Sequence, residues 1–178
     1  MLLDKTKLPL VRNKNSFIYV DLTDDQFYEM TEPQNIISEN KYLLIVYIAG
    51  GSLIKQLDQF YLPISHFQFN LILLLFFLFL ISMYSRKQLT IWAKKLSATP
   101  LTVSLARKKK IMAEAKKDVR INQYIFLTLI ALWALSVFLF LFFSMTLFFI
   151  SSLVFWYVLN LLRPTLKLKE RKHYLALR

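Results

Sequence analysis

The sequence predicts an all-α integral membrane protein: a small bundle of about four transmembrane helices, with a short N-terminal strand/helix segment and a basic cytoplasmic helical loop. Three observations lead there. Of 178 residues, 56% are hydrophobic and 16% aromatic, with sixteen phenylalanines, and the mean hydropathy is +0.44. That is more apolar surface than one soluble core of this length requires. The apolar residues form uninterrupted runs rather than amphipathic patterns. The basic residues, behind a net charge of +12, are concentrated between and after those runs.

The chain has no cysteine, which excludes disulfides, thiolate metal sites and cysteine nucleophiles. The opening MLLDKTKLPLVRNKN holds no apolar stretch of signal-peptide length, so insertion is expected to be directed by the internal spans. Three regions follow: an N-terminal cytoplasmic segment (1–41), a membrane domain (42–162) and a basic cytoplasmic tail (163–178).

Within 1–41, SFIYVDL alternates like a strand, with Ile18 and Val20 against Tyr19 and Asp21. LTDDQFYEM then has the grammar of a helix start. Thr23 is placed as N-cap and Gln26 at N3, with Asp24 and Asp25 in the first turn and Leu22 and Phe27 as a hydrophobic staple. A strand feeding one short helix is expected; the adjacent aspartates lack the ligand spacing of a cation site.

The first membrane segment, 42–62, is the least clear. It contains the only two glycines, Gly50 and Gly51, in YIAGGSLIKQLDQF. Its uncharged part is short for a crossing, and the full length includes Lys55 and Asp58, each costing about 2.5–3.5 kcal/mol at a bilayer centre. Three residues apart on a helix, they can pair, and Lys55 can snorkel from the segment's end. Gly50, Gly51 and Ser52 would permit close helix approach. The alternative is an interfacial helix in a three-span protein.

The next span, 67–84, is uncharged and long enough, with its flanks, for a ~30 Å hydrocarbon core. Asn70 lies near its start, where headgroups would hydrate it. Residues 124–162 are also uncharged; as one helix they would run roughly 58 Å, too long for one crossing. A hairpin of spans 124–142 and 145–162 is expected, turning near Ser144, with a re-entrant second half as the alternative.

The loop 85–123 carries eleven Lys and Arg against Glu114 and Asp118, net +9, and the tail carries six against Glu170, net +5. The positive-inside rule puts both in the cytoplasm, and a crossing at 42–62 puts the N-terminus there too. Before Pro100 the loop is expected to extend the preceding span, with Trp92 as an interfacial anchor. After it, a basic, membrane-facing helix is expected, with a thin stripe of Leu105, Met112 and Val119. Arg107, Lys108, Lys109 and Lys110 are candidates for anionic-lipid contact. No nucleic-acid recognition motif accompanies them.

No catalytic constellation, phosphate loop or dinucleotide fingerprint is present, and no cofactor or metal site is expected. With few polar groups in its spans, the chain reads as non-enzymatic, acting by binding lipids or another membrane protein.

The order of features (YVDLTDDQFYEM, the Ala49–Gly51 AGG before an apolar helix, a long span ending in the YSRK of Tyr84–Lys87, a basic loop and a final apolar hairpin) resembles the tandem five-transmembrane family of Gram-positive bacterial membrane proteins over residues 16–162. That resemblance implies a bacterial inner-membrane protein, and an immunity role against membrane-active toxins exported by type VII secretion. Gly50, Gly51, Ser52, Lys55 and Asp58 are then the expected partner-binding residues. The alternatives are an accessory membrane subunit of a transporter or secretion complex, and a small channel formed by oligomers.

Overall fold

The computed structural model describes residues 7–12, 16–31, 54, 56–95 and 97–177. Four strands, β1 (Lys7–Arg12), β2 (Ser16–Asp21), β3 (Phe27–Thr31) and β4 (Ser97–Leu101), form one sheet in the order β1-β2-β3-β4. The helices are α1 (Phe67–Lys95), α2 (Leu105–Phe143), α3 (Thr146–Leu166) and α4 (Leu168–Ala176). Residues 56–61 are also helical and lead into a 3-10 turn, Leu62–Ile64. Three of the helices are long and apolar enough to cross a membrane. The described residues of 7–31, 86–127 and 160–177 form one compact unit, and those of 54–85 and 128–159 form a second.

The first unit is a sheet covered on both faces. The period of two sends Ile18, Val20 and Phe27 to one face, with Leu8 and Leu10 of β1 beside them. An irregularity between Pro9 and Val11 sets Val11 rather than Leu10 opposite Ile18. Ile111, Ala115 and Val119 of α2 and Leu175 of α4 cover this face. Tyr19 and Met30 point the other way, against Ala93, with Phe17, Trp92 and Ala98 packed around them. Leu8, Leu10, Val20 and Met30 are completely or almost completely buried. Burial of side chains of these sizes stabilises a fold by about 1.5–3 kcal/mol each.

Arg171 ties this unit together. It is 2% exposed, and its Nη2 donates to the Leu10 carbonyl at 2.6 Å and to Asp118 Oδ2 at 2.9 Å. One side chain of α4 therefore joins β1 to α2. Asp118 is the more exposed partner and also accepts from Asn122 Nδ2 at 3.0 Å.

In the second unit, α2 ends at Phe143 and α3 begins at Thr146, so the long apolar run is a hairpin turning at Ser144, as expected. Ser144 takes φ 55° and donates its N–H to the Phe140 carbonyl at 2.8 Å, a left-handed helix stop made without glycine. Phe77 and Phe140 each pack on Phe149, with ring centroids 5.4 and 4.9 Å away. Trp133 lies 5.0 Å from Trp156, whose Nε1 donates to Ser82 Oγ at 2.8 Å. Ser85, Ser136 and Ser152 are buried, small side chains that let helices approach closely.

Several expectations are corrected. The chain is not all-α. The helix expected at Thr23 is a strand, β3, reached through a tight acidic turn. Thr23 donates its N–H and hydroxyl to Asp21 Oδ1 at 3.0 and 2.7 Å, so it is itself capped, by an Asx turn. Asp25 takes φ 57°, Gln26 N–H bonds to Asp24 Oδ1 at 3.0 Å, and Phe27 is in the sheet core while Leu22 stays exposed. Long-range pairing on both sides of β3 outweighs a capping box worth about a kilocalorie.

The extension of the second span ends at Lys95, short of Pro100, and its Trp92 packs edge-on against Phe17 at 6.3 Å. The segment around Pro100 is β4. The basic helix is continuous with the next span in α2, and its inward stripe is Ile111, Ala115 and Val119, whereas Leu105 is 81% exposed.

Arg171→Ala is expected to lower the stability of the first unit by about 3 kcal/mol, because it leaves two acceptors without their shared buried donor. Asp118→Ala is expected to cost a comparable amount, because it leaves the buried Arg171 guanidinium without its counter-charge. Urea unfolding in detergent, followed through Trp92 with Trp133 and Trp156 changed to Phe, measures both. A loss under about 1 kcal/mol for either variant would contradict this account.

Candidate functional site at the hairpin end of the membrane unit

Three segments meet at one end of the second unit: residues 56–61, the first turn of α1, and the turn between α2 and α3. Residues 56–61 read QLDQFY and the first turn of α1 reads FQFN, so polar and aromatic side chains alternate here, and a polar group that becomes buried among them needs an internal partner. Asn70 is fully buried. Its Oδ1 accepts from the Tyr61 hydroxyl, and its Nδ2 donates to Ser144 Oγ at 2.8 Å. Asn70 N–H bonds to the His66 carbonyl at 2.8 Å, which fixes it in the first turn of α1. Asp58 Oδ1 accepts from the Thr146 N–H at 2.7 Å. The carboxylate thus caps α3 from another segment, satisfying an orphan donor at the positive end of the helix dipole.

Apolar packing reinforces the polar seam. Tyr61 stacks on Phe140 with centroids 6.2 Å apart and planes 19° from parallel, and Phe140 is completely buried. Around the seam stands an exposed rim of Phe60 (80% exposed), Phe67, Phe69, Phe142 and Phe143. Phe67 lies 6.3 Å from Phe142. The polar bonds join the three backbone segments, and the aromatic side chains project from them.

Of the residues singled out in the sequence, Gly50, Gly51, Ser52 and Lys55 lie outside the described residues. Asp58 is at the seam. Arg107, Lys109 and Lys110 are exposed on α2, whereas Lys108 pairs with Asp25 Oδ2 at 3.0 Å and lies over the Phe27 ring. Tyr174 also donates to Asp25, at 2.7 Å, so this part of the basic cluster fastens the acidic β2–β3 turn. Near that turn, desolvation and then the Asp24 and Asp21 carboxylates hold the Tyr28 phenol above its ordinary range.

Sequence reasoning missed Tyr61, Asn70 and Ser144 as a group. Asn70 is not hydrated by headgroups but buried between helices. The available signal was a lone amide in one apolar run and a lone hydroxyl near the middle of another. Among the described residues, no three His, Asp or Glu side chains are grouped to hold a metal ion.

Comparison of the chain with protein-family models, with curated proteins and with solved structures finds no match.

Asn70→Leu is expected to destabilise the second unit by about 1–2 kcal/mol, since it leaves two desolvated hydroxyls without their partner. Asp58→Asn should cost less, about 0.5 kcal/mol, because an uncharged cap remains. Midpoints of denaturation by SDS titrated into mild detergent give both values; an unchanged midpoint for Asn70→Leu would refute the seam's contribution.

Proposed function

We propose that the chain is a non-enzymatic bacterial inner-membrane protein that binds a membrane-active toxin through intramembrane helix contacts and neutralises it. One observation carries this reading: the aromatic rim of Phe60, Phe67, Phe69, Phe142 and Phe143 at the hairpin end, with Tyr61, Asn70 and Ser144 stapled beneath it. Large side chains on an ordered backbone give contact area at low entropic cost, and aromatics are enriched where partners bind. The resemblance to the tandem five-transmembrane family supports the same role.

In this reading 42–62 is a fourth span, and the helical residues 56–61 are its outer end. The positive-inside rule places the basic stretches after Arg86, Leu105 and Arg163 in the cytoplasm. The rim then faces outward, toward a toxin arriving from outside or through the outer leaflet.

A second reading, an accessory subunit of a transporter or secretion complex, is favoured by the exposed Arg107, Lys109 and Lys110 on α2, which would dock an acidic cytoplasmic partner. A stoichiometric membrane partner recovered in mild detergent would favour it.

The chain lacks cysteine, so a single introduced thiol reports topology. Phe60→Cys is expected to react with an impermeant maleimide in intact spheroplasts, and Lys109→Cys only after lysis. Protection of Phe60→Cys until lysis would overturn the orientation. For function, cells expressing a membrane-active toxin of the type VII secretion class should keep their membrane potential when the chain is co-expressed, the toxin being chosen from any found encoded beside it. Phe60→Ala with Phe142→Ala should reduce that protection severalfold. Depolarisation unchanged by the wild-type chain would refute the proposal.

A further inference from the structure

The first unit contains a half-open cleft of about 780 Å³, lined by α1, α2, α3 and α4, a volume typical of small-ligand sites. Its charged lining is Arg86, Arg163, Lys167 and Lys169 against Glu170, a net charge of +3. Leu89 and Phe126 form part of its apolar wall. The residues come from where apolar runs end: Arg86 follows the uncharged stretch of α1, Phe126 lies near the start of that of α2, and Arg163 directly follows that of α3.

The junction between α3 and α4 shapes this cleft. Pro164 removes a helical N–H in the last turn of α3. Lys167 adopts φ 42°, allowing α4 to start in a new direction at Leu168. Its Nζ donates to the Lys7 carbonyl at 2.7 Å, which holds one positive charge at the junction. Arg86 and Arg163 are exposed, and neither has an ion-pair partner among the described residues. Two guanidiniums left unpaired around a partly apolar cleft are suited to bidentate contact with phosphate oxygens.

The geometry points to a binding site for a phosphate-bearing anion, with Arg86 and Arg163 as its principal contacts. Two sources share that chemistry: the headgroup of an anionic phospholipid, whose glycerol and acyl ends would meet the apolar wall, and a soluble phosphate. The site is separate from the Arg107, Lys109 and Lys110 cluster and does not rest on the toxin-binding reading.

The full chain in mild detergent tests this by thermal unfolding, titrated separately with phosphatidylglycerol, phosphatidylcholine and inorganic phosphate. Phosphatidylglycerol is expected to raise the midpoint saturably. Phosphatidylcholine, whose phosphate is neutralised by its own choline, should do so far more weakly. Arg86→Gln with Arg163→Gln should weaken phosphatidylglycerol binding at least tenfold, about fivefold per lost charge. Lys116→Gln with Lys117→Gln, exposed on α2 outside the cleft lining, should leave it within about threefold of wild type.

Saturable protection by inorganic phosphate that is lost in the cleft variant would assign the site to a soluble ligand. Protection by phosphatidylglycerol alone would assign it to lipid. Equal losses in the two variants, equal protection by the two lipids, or no protection by any of the three would overturn the proposal. Both arginines are exposed, so the unliganded midpoints should match wild type. If the Gln variant falls short of that, Arg86→Lys with Arg163→Lys keeps the charge, and retention of wild-type affinity there would overturn the bidentate arginine contact.

Discussion

A sheet with apolar side chains on both faces has to be covered on both, and this constraint organises the first unit. The strands bring no covering helix of their own. Cover comes from helices that continue out of the apolar runs: the end of α1 carries Trp92 and Ala93 to one face, and the start of α2 carries Ile111, Ala115 and Val119 to the other. The same α1 ends close to β4, which closes the sheet beside β3. The sheet unit is therefore completed by helices that continue into it from the apolar runs.

A different constraint acts in the second unit. Polar groups buried there need internal partners. Asn70 bridges Tyr61 and Ser144, and Asp58 caps α3. These bonds link residues up to 88 positions apart, and they order a turn that has neither glycine nor proline. An aromatic rim on such a turn is presented for contact rather than left to fluctuate.

The elements legible in the sequence were those set by local composition. The uncharged runs marked the spans, the hairpin near Ser144 followed from length alone, and the alternation of SFIYVDL marked β2. The strands β1 and β4 were hidden because each carries a proline, Pro9 and Pro100, which sequence reading treats as a break. Both are edge strands, where a missing N–H costs little. Thr23 through Met30 was misread because a capping box is a local signal, while β3 is held by partners on both sides that come from other parts of the chain. Of the candidate site, only Asp58 was singled out in advance, and for a different contact.

By itself, then, the sequence determined that long apolar helices are present, where their uncharged runs end, and that positive charge gathers beyond those ends. Each depends on the transfer free energy of residues taken one stretch at a time. Tertiary structure alone decided that residues 7–31 and 97–101 make one sheet, that Lys108 serves an acidic turn while its neighbours stay exposed, and that Asn70 is a bridge between helices. Those outcomes depend on which distant groups satisfy a given donor, acceptor or apolar face, and separation along the chain does not encode that.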